Sequence, residues 1–328
     1  MIIRGQYTKS RFFSFTVYGG VGEVFDTIND SQITPDPGSE NPFAPPGAGP
    51  GSHTYTLTLE RAPVANPEDY ALAAPQTNGR IIYRVYVPNE GLDLKGGVPL
   101  PTITMVYANG NTQTLGECDL DPVTMVARPT TQEPAPIPGQ PLCEQDPARP
   151  DVLCFAPADF GFLFPNPAVH YIASNALDYR PDKIIVVRAR AANFPNTFKG
   201  GSIFDEALPN GGPLQMRYWS MCNNEITTGW PVVACQADFS TKLDGGNFFT
   251  YVISHEDSGS RPSWLPRTAT WIPWGRTNLD NLLIFRSMLA PEDFPAEDSQ
   301  FYPKAVYCDK RVFKNQGWRG CFKDAGVK

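Results

Sequence analysis

MRYWSMCNNEITTGWPVVACQADF, Met216–Phe239, decides how the fold is read. Aromatic and apolar residues crowd its two ends, and polar residues with a glycine fill the middle. Each end is short, rich in aromatic or β-branched side chains and bounded by turn formers, as strands are. Leu214–Cys222 and Pro231–Phe239 are therefore expected as antiparallel neighbours joined by the polar loop Asn223–Trp230. Cys222 and Cys235 then staple the hairpin. Closing such a loop contributes roughly 3 kcal/mol by chain entropy. The competing reading, a reactive thiol, needs a cation or a helix N-terminus to lower the thiol pKa. The local sequence supplies neither.

The same pattern recurs outward along the chain. Arg11–Gly20, His53–Arg61 and Gly79–Pro88 alternate or run apolar as strands do; in the second, Tyr55, Leu57 and Leu59 share one face. Pro101–Leu115 is expected as a hairpin turning at Asn109-Gly110-Asn111. Asp182–Ala192 is almost continuously apolar, which fits a central strand, and Gly246–Ser254, Thr268–Gly275 and Asn281–Leu289 follow. Tyr302–Gly317 is the best helix candidate, with Pro303 in its first turn and Gly317 as its stop. Many short strands between turn clusters predict an all-β, jelly-roll-like antiparallel sandwich with long Pro/Gly-rich loops and a short C-terminal helix. A Pro-rich segment near 128–157 is read as a loop inserted in a single domain spanning 1–328. The alternative is a boundary between two β domains, 1–127 and 158–328.

Composition narrows the function classes. The chain has 34 prolines and 28 glycines in 328 residues, which disfavours long helices, while 41% hydrophobic content is ample for a core. A formal charge of -7 with no basic run gives no footprint for nucleic acid. No apolar run reaches the ~20 residues of a membrane helix. Seven cysteines without a C-x-x-C pair argue for disulfides and an oxidising compartment. The expected pairs are Cys222–Cys235, Cys308–Cys321 and Cys143–Cys154, with Cys118 left over or exchanging into the last. The expected location is secreted or cell envelope, although Met1-Ile2-Ile3-Arg4 does not open a signal peptide.

Several segments in one order resemble a family of exported bacterial β-sandwich proteins of unknown function. They are IIRGQYTKSRFFSFTVY, PDPGSENPF, VVRARAANFPNT, LQMRYWSMCNNE with VVACQADF, TWIPWG and FYPKAVYCD. FFSFTVYGG is also similar, more distantly, to a bacterial β-sandwich domain found beside a second uncharacterised domain. The resemblance implies a sandwich and export. It implies no reaction and no catalytic residues.

Candidate sites are scattered. Trp264, Trp271 and Trp274 offer a flat aromatic platform for a sugar, or simple packing. Arg11, Arg188, Arg190 and Arg217 stand on apolar strands, where arginines pair locally or converge on an anionic ligand; Arg217 is expected to contact such a ligand. Asp26, Asn29, Asp30 and Asp36 provide hard oxygens that suit calcium, as do Glu117, Asp119 and Asp121, but turn chemistry accounts for both sets. No other cofactor is expected. His53, His170 and His255 lack metal-ligand spacing. Glu225, Asp238, Asp244, Glu256 and Asp257 are carboxylates in search of a glycosidase geometry. No G-x-S-x-G elbow is present. Missing catalytic motifs favour a non-enzymatic exported structural or interaction protein, a subunit of an envelope or extracellular assembly with protein partners or copies of itself. The alternatives are a glycan or small-ligand binding module, and a glycosidase-like hydrolase with an unfamiliar site.

Overall fold

The computed structural model describes residues 1–20, 22–47, 49, 51–61, 71–75, 78–116, 143–158, 164–227, 230–292 and 294–327. In chain order the strands are β1 (Ile2–Gln6), β2 (Ser10–Tyr18), β3 (Val24–Asn29), β4 (Thr54–Arg61), β5 (Ala71–Ala74), β6 (Arg80–Pro88), β7 (Thr102–Val106) and β8 (Thr112–Thr114). Then come β9 (Val152–Leu153), β10 (Phe155–Pro157), β11 (Val169–Ser174), β12 (Lys183–Arg190), β13 (Phe194–Pro195), β14 (Ala207–Leu208), β15 (Tyr218–Glu225) and β16 (Val232–Ala237). Last are β17 (Phe248–Ser254), β18 (Thr270–Pro273), β19 (Asn281–Met288), β20 (Lys304–Asp309) and the helix α1 (Lys310–Asp324). The fold is all-β with one short C-terminal helix. Chain contacts divide it into two compact units. The first is Met1–Thr130 with Gly161–Ala168 and Pro195–Glu206, and the second comprises Thr131–Phe160, Val169–Phe194 and Ala207–Lys328.

The first unit is a sandwich of β5-β4-β1-β7-β8 and β3-β2-β6. Alternation along β4 turns Tyr55 and Leu57 inward, and alternation along β2 turns Phe13, Phe15 and Val17 toward them. Phe13 sits among the rings of Tyr7, Phe15, Phe43, Tyr55 and Tyr83 at centroid distances of 5.4 to 6.4 Å. The β7–β8 hairpin turns at Asn109–Asn111 as expected, with Gly110 at φ 82°, where a side chain would be strained.

The second unit packs β10-β11-β19-β15-β16 against β18-β17-β12-β20-β9. Trp219, Met221, Leu283 and Phe285 from one sheet meet Ile185, Val187, Phe249 and Tyr251 from the other. As its apolar run predicts, β12 is central, paired with β17 on one side and β20 on the other. Its remaining face, Ile184 and Val186, is covered by Phe313, Cys321 and Phe322 of α1. All three expected disulfides form: Cys143–Cys154, Cys222–Cys235 and Cys308–Cys321. Three bridges fit an oxidising environment. Cys118, and residues 128–142 of the Pro-rich segment, lie outside the described residues. No helix among the described residues is long and apolar enough to cross a membrane.

Two expectations need correcting. Tyr302–Gly317 is not one helix. Ala305, Val306, Tyr307 and Cys308 are buried on β20, and the helix starts only after Asp309, whose carboxylate accepts from the Arg311 N–H at 2.7 Å. Nor does Gly317 stop the helix. It adopts φ 63°, ψ -161° and kinks a helix that continues to Asp324. Burial of a continuous apolar run on both faces overrode the Pro–Gly bracket that suggested a helix. The hairpin loop is also shorter than predicted, because β15 runs on to Glu225. Asn223 donates to the Pro273 and Trp274 carbonyls at 2.9 Å each, and Asn224 donates to the Trp230 carbonyl at 3.0 Å. Such partners make polar residues good strand occupants.

Candidate functional site

The strongest constellation lies in the second unit, between β12 and α1. Strand alternation sends Ile185, Val187 and Ala189 into the core and leaves Arg188 on the helix side. There Arg188 donates to Thr250 Oγ1 at 2.8 Å and to Asp244 Oδ2 at 2.5 Å. Asp244 is fixed in turn by the N–H groups of Gly246 and Phe248 at 2.9 and 3.0 Å. Burial alone would raise the Asp244 pKa; the Arg188 hydrogen bond and charge outweigh it and hold the carboxyl below its ordinary value. The guanidinium carbon lies 4.7 Å from the Phe248 ring centre and 3.9 Å from that of Trp318. Such a cation between aromatic faces is attracted by both quadrupoles.

The kink at Gly317 precedes Trp318, and Trp318 meets Phe322 edge-to-face at 6.0 Å. The Cys308–Cys321 bridge ties this turn to β20. Residues 298–302 form another wall, pinned by the Arg190 N–H donating to the Gln300 carbonyl at 2.7 Å. Tyr302 donates to the Phe155 carbonyl at 2.9 Å, and burial, reinforced by Glu297, raises its phenol to about 12. These groups line an open pocket of about 360 Å³, together with Asp298, Ser299 and Lys304. Ser299 Oγ is buried with no hydrogen-bond partner among the described residues.

A larger cavity, about 1030 Å³, belongs to the first unit and is lined by Met1, Val17, Leu59, Ala74, Ile81 and Met105. Its charged residues Glu60, Arg61 and Arg80 are exposed, and among the described residues no buried polar groups converge on it.

The sites expected from sequence fare unevenly. Trp274 enters the inter-sheet core, whereas Trp264 and Trp271 pack on the helix side of the same sheet. They share no plane. Trp271 donates to Ser254 Oγ at 3.0 Å, and Lys310 and Lys314 lie over Trp264 at 4.9 and 5.5 Å. Arg11 belongs to the first unit and donates to Thr197 at 2.9 Å. Arg188 and Arg190 lie on β12, Arg190 over the Phe301 ring, and Arg217 precedes β15 on the opposite sheet. Three of these positions therefore go to other places, and only Arg188 lines the cavity.

Asp26 accepts from the N–H groups of Thr27 and Ala73, and buried Asp30 accepts from those of Phe13 and Ser31. Gln32 Oε1 accepts from the Asn29 N–H. Glu117, Asp119 and Asp121 lie outside the described residues. Among the described residues no group of three or more His, Cys, Asp or Glu has metal-holding geometry. Glu225 is paired with Arg276, Asp238 accepts from the Trp219 N–H, and Glu256 pairs with Lys310. His255 faces Asp257 at 3.4 Å on an exposed loop. Sequence reasoning missed Trp318 and Ser299. The spacing of Trp318 to Phe322 was a helical signal, hidden once the helix was taken to end at Gly317.

No family model and no curated protein matches this chain. Among solved structures, an uncharacterized protein from Burkholderia cenocepacia is similar with a TM-score of 0.51 and 13% identity, over 94% of this chain and 72% of the other. A Vibrio parahaemolyticus protein is similar with a TM-score of 0.44 and 10% identity, over 93% and 85%. At such identity the first likeness speaks for the fold alone.

Proposed function

We propose that the protein is an exported, non-enzymatic binding module whose second unit takes a single sugar ring, such as a glycan terminus, in the cavity beneath α1. The observation that carries the reading is the cavity's make-up. The aromatic residues Phe248, Trp318 and Tyr302 line it together with the cations Arg188 and Lys304 and the polar side chains of Asp298 and Gln300. A volume of about 360 Å³ lies within the range for small ligands. Sugar rings offer C–H faces to aromatics and hydroxyls to polar groups. Glu225, Asp238, Asp244 and Glu256 are held by ion pairs or backbone N–H groups, which supports binding over hydrolysis. Three disulfides, and the resemblance to exported bacterial sandwich proteins, support export.

The test is nuclear magnetic resonance of the full protein titrated with a panel of neutral and acidic monosaccharides. The indole N–H of Trp318 shifts on binding, and Trp318→Ala, followed on backbone amides, loses about 10-fold in affinity. Trp264→Ala keeps both the Trp318 shift and the affinity. If no sugar perturbs Trp318, or if Trp318→Ala binds as well as the unaltered protein, the reading fails.

A further inference from the structure

The Cys222–Cys235 bridge differs chemically from the other two. Cys222 and Cys235 face each other on β15 and β16, with Cα atoms 4.0 Å apart. Cys222 is buried, whereas Cys235, on the edge strand of its sheet, is exposed. Across the sheet, Arg286 of β19 directs Nη1 onto Cys222 Sγ and lies 3.8 Å from Cys235 Sγ. Ser220, two residues before Cys222 and on the same face, brings its hydroxyl to 3.9 Å from that sulfur. One sulfur is thus open to attack, and the other is surrounded by donors that favour an anion. Among the described residues the other bridges do not combine these two features. Cys308 on β20 and Cys321 on α1 are both buried where the helix packs on the sheet. Cys154 Sγ faces the side-chain oxygen of Asn175 at 3.8 Å, a poor neighbour for a thiolate.

We propose that Cys222–Cys235 is a thiol–disulfide exchange site that accepts electrons from an external dithiol of the oxidoreductase class, with Cys235 as the attacked sulfur and Cys222 as the leaving thiolate. The attacking thiolate bonds to Cys235 Sγ, and the Cys222–Cys235 bond breaks. Its electron pair stays on Cys222 Sγ, beside Arg286. The partner's second thiol, as thiolate, then attacks its own sulfur in the mixed disulfide and expels the Cys235 thiolate. The partner ends as a disulfide and the two cysteines as thiols, so two electrons have moved. The reverse sequence re-forms the staple. Exchange is faster when the leaving thiol has a low pKa, and an adjacent cation lowers it. Arg286 supplies the cation absent from the local sequence, because it arrives from a strand more than fifty residues away. The inference is independent of the sugar-binding reading.

Glutathione serves as the probe. The native full-length protein, its free thiols first blocked with N-ethylmaleimide, is exposed to glutathione at about pH 7.5 and quenched with iodoacetamide. Peptide mass spectrometry then locates each label. The first product should carry glutathione on Cys235 and carbamidomethyl on Cys222, before any label appears on Cys143, Cys154, Cys308 or Cys321. Arg286→Gln should slow that product roughly 3- to 10-fold, with partial recovery in Arg286→Lys. Earlier opening of another bridge, glutathione on Cys222, or an unchanged rate in a folded Arg286→Gln protein would each overturn the proposal. The order and position of labelling are read on the unaltered protein and do not depend on the variant folding.

Discussion

Phe13 in the first unit and Trp219 in the second are both fully buried between two sheets, yet their surroundings differ. Phe13 touches five other rings, and no disulfide is present among the described residues of its unit. Trp219 stacks on Phe249 and lies tilted toward Phe285 at 6.2 Å, and its indole N–H donates to the Ala192 carbonyl at 3.1 Å. Its unit carries all three bridges and a helix over one sheet. The first unit thus rests on the mutual packing of rings, the second on packing plus covalent ties. Ring packing is lost wherever one ring is removed, whereas a bridge acts by restricting the unfolded chain.

Phe13→Ala is therefore the sharpest way to break the comparison. It should cost about 3–5 kcal/mol. Hydrogen exchange read by mass spectrometry should show lost protection on β2, β4 and β6, with β12 and β17 little changed. Equal deprotection of both units would mean that they share one cooperative transition, and the contrast would not hold. Cys308→Ser with Cys321→Ser comes next, at about 3 kcal/mol for a loop of this length. The loss should appear in the second unit, first in α1, leaving β2 and β4 untouched.

These two regions also differ in how much of them the sequence disclosed. The ring core was legible: alternation along His53–Arg61 put Tyr55 and Leu57 on one face, and both are fully buried. β1 was not, because IIRGQ is short and its pairing with β4 is set by residues about fifty positions away. In the second unit β12 declared itself by its apolar run, and the three bridges by cysteine spacing. The cavity did not. Arg188 meets Asp244 and Trp318 only because the sheet and helix bring them together, and local pattern carries no information about such distant partners. Taking Tyr302–Gly317 as one helix compounded the loss, since it turned β20 into helix and cut Trp318 away. The tryptophans chosen instead were close in sequence, but alternation sent Trp271 and Trp274 to opposite faces of one sheet.

The smallest expected effect sharpens the comparison by asking what the second unit gains from charge. Glu225, buried at the end of β15, accepts from the Arg276 N–H and Nε at 2.9 Å each and from Nη2 at 2.6 Å. Burial pushes the carboxyl pKa up, but the hydrogen bonds and charge of Arg276 win, and it lies below the ordinary value of 4.5. A carboxyl depressed by folding binds its proton more tightly when unfolded. Its stabilisation is complete above the ordinary value and fades as pH falls through the folded pKa. Arg276 is 39% exposed, so solvent screens the pair, and Glu225→Gln should cost only about 1–2 kcal/mol near neutrality. The distinguishing readout is the slope. Between about pH 5 and 3 the unaltered protein should lose stability more steeply than Glu225→Gln, so that the two denaturation curves converge in acid. Parallel pH profiles would show that the pair contributes shape and hydrogen bonding but no charge-linked stability, and the second unit's advantage would then rest on its bridges alone.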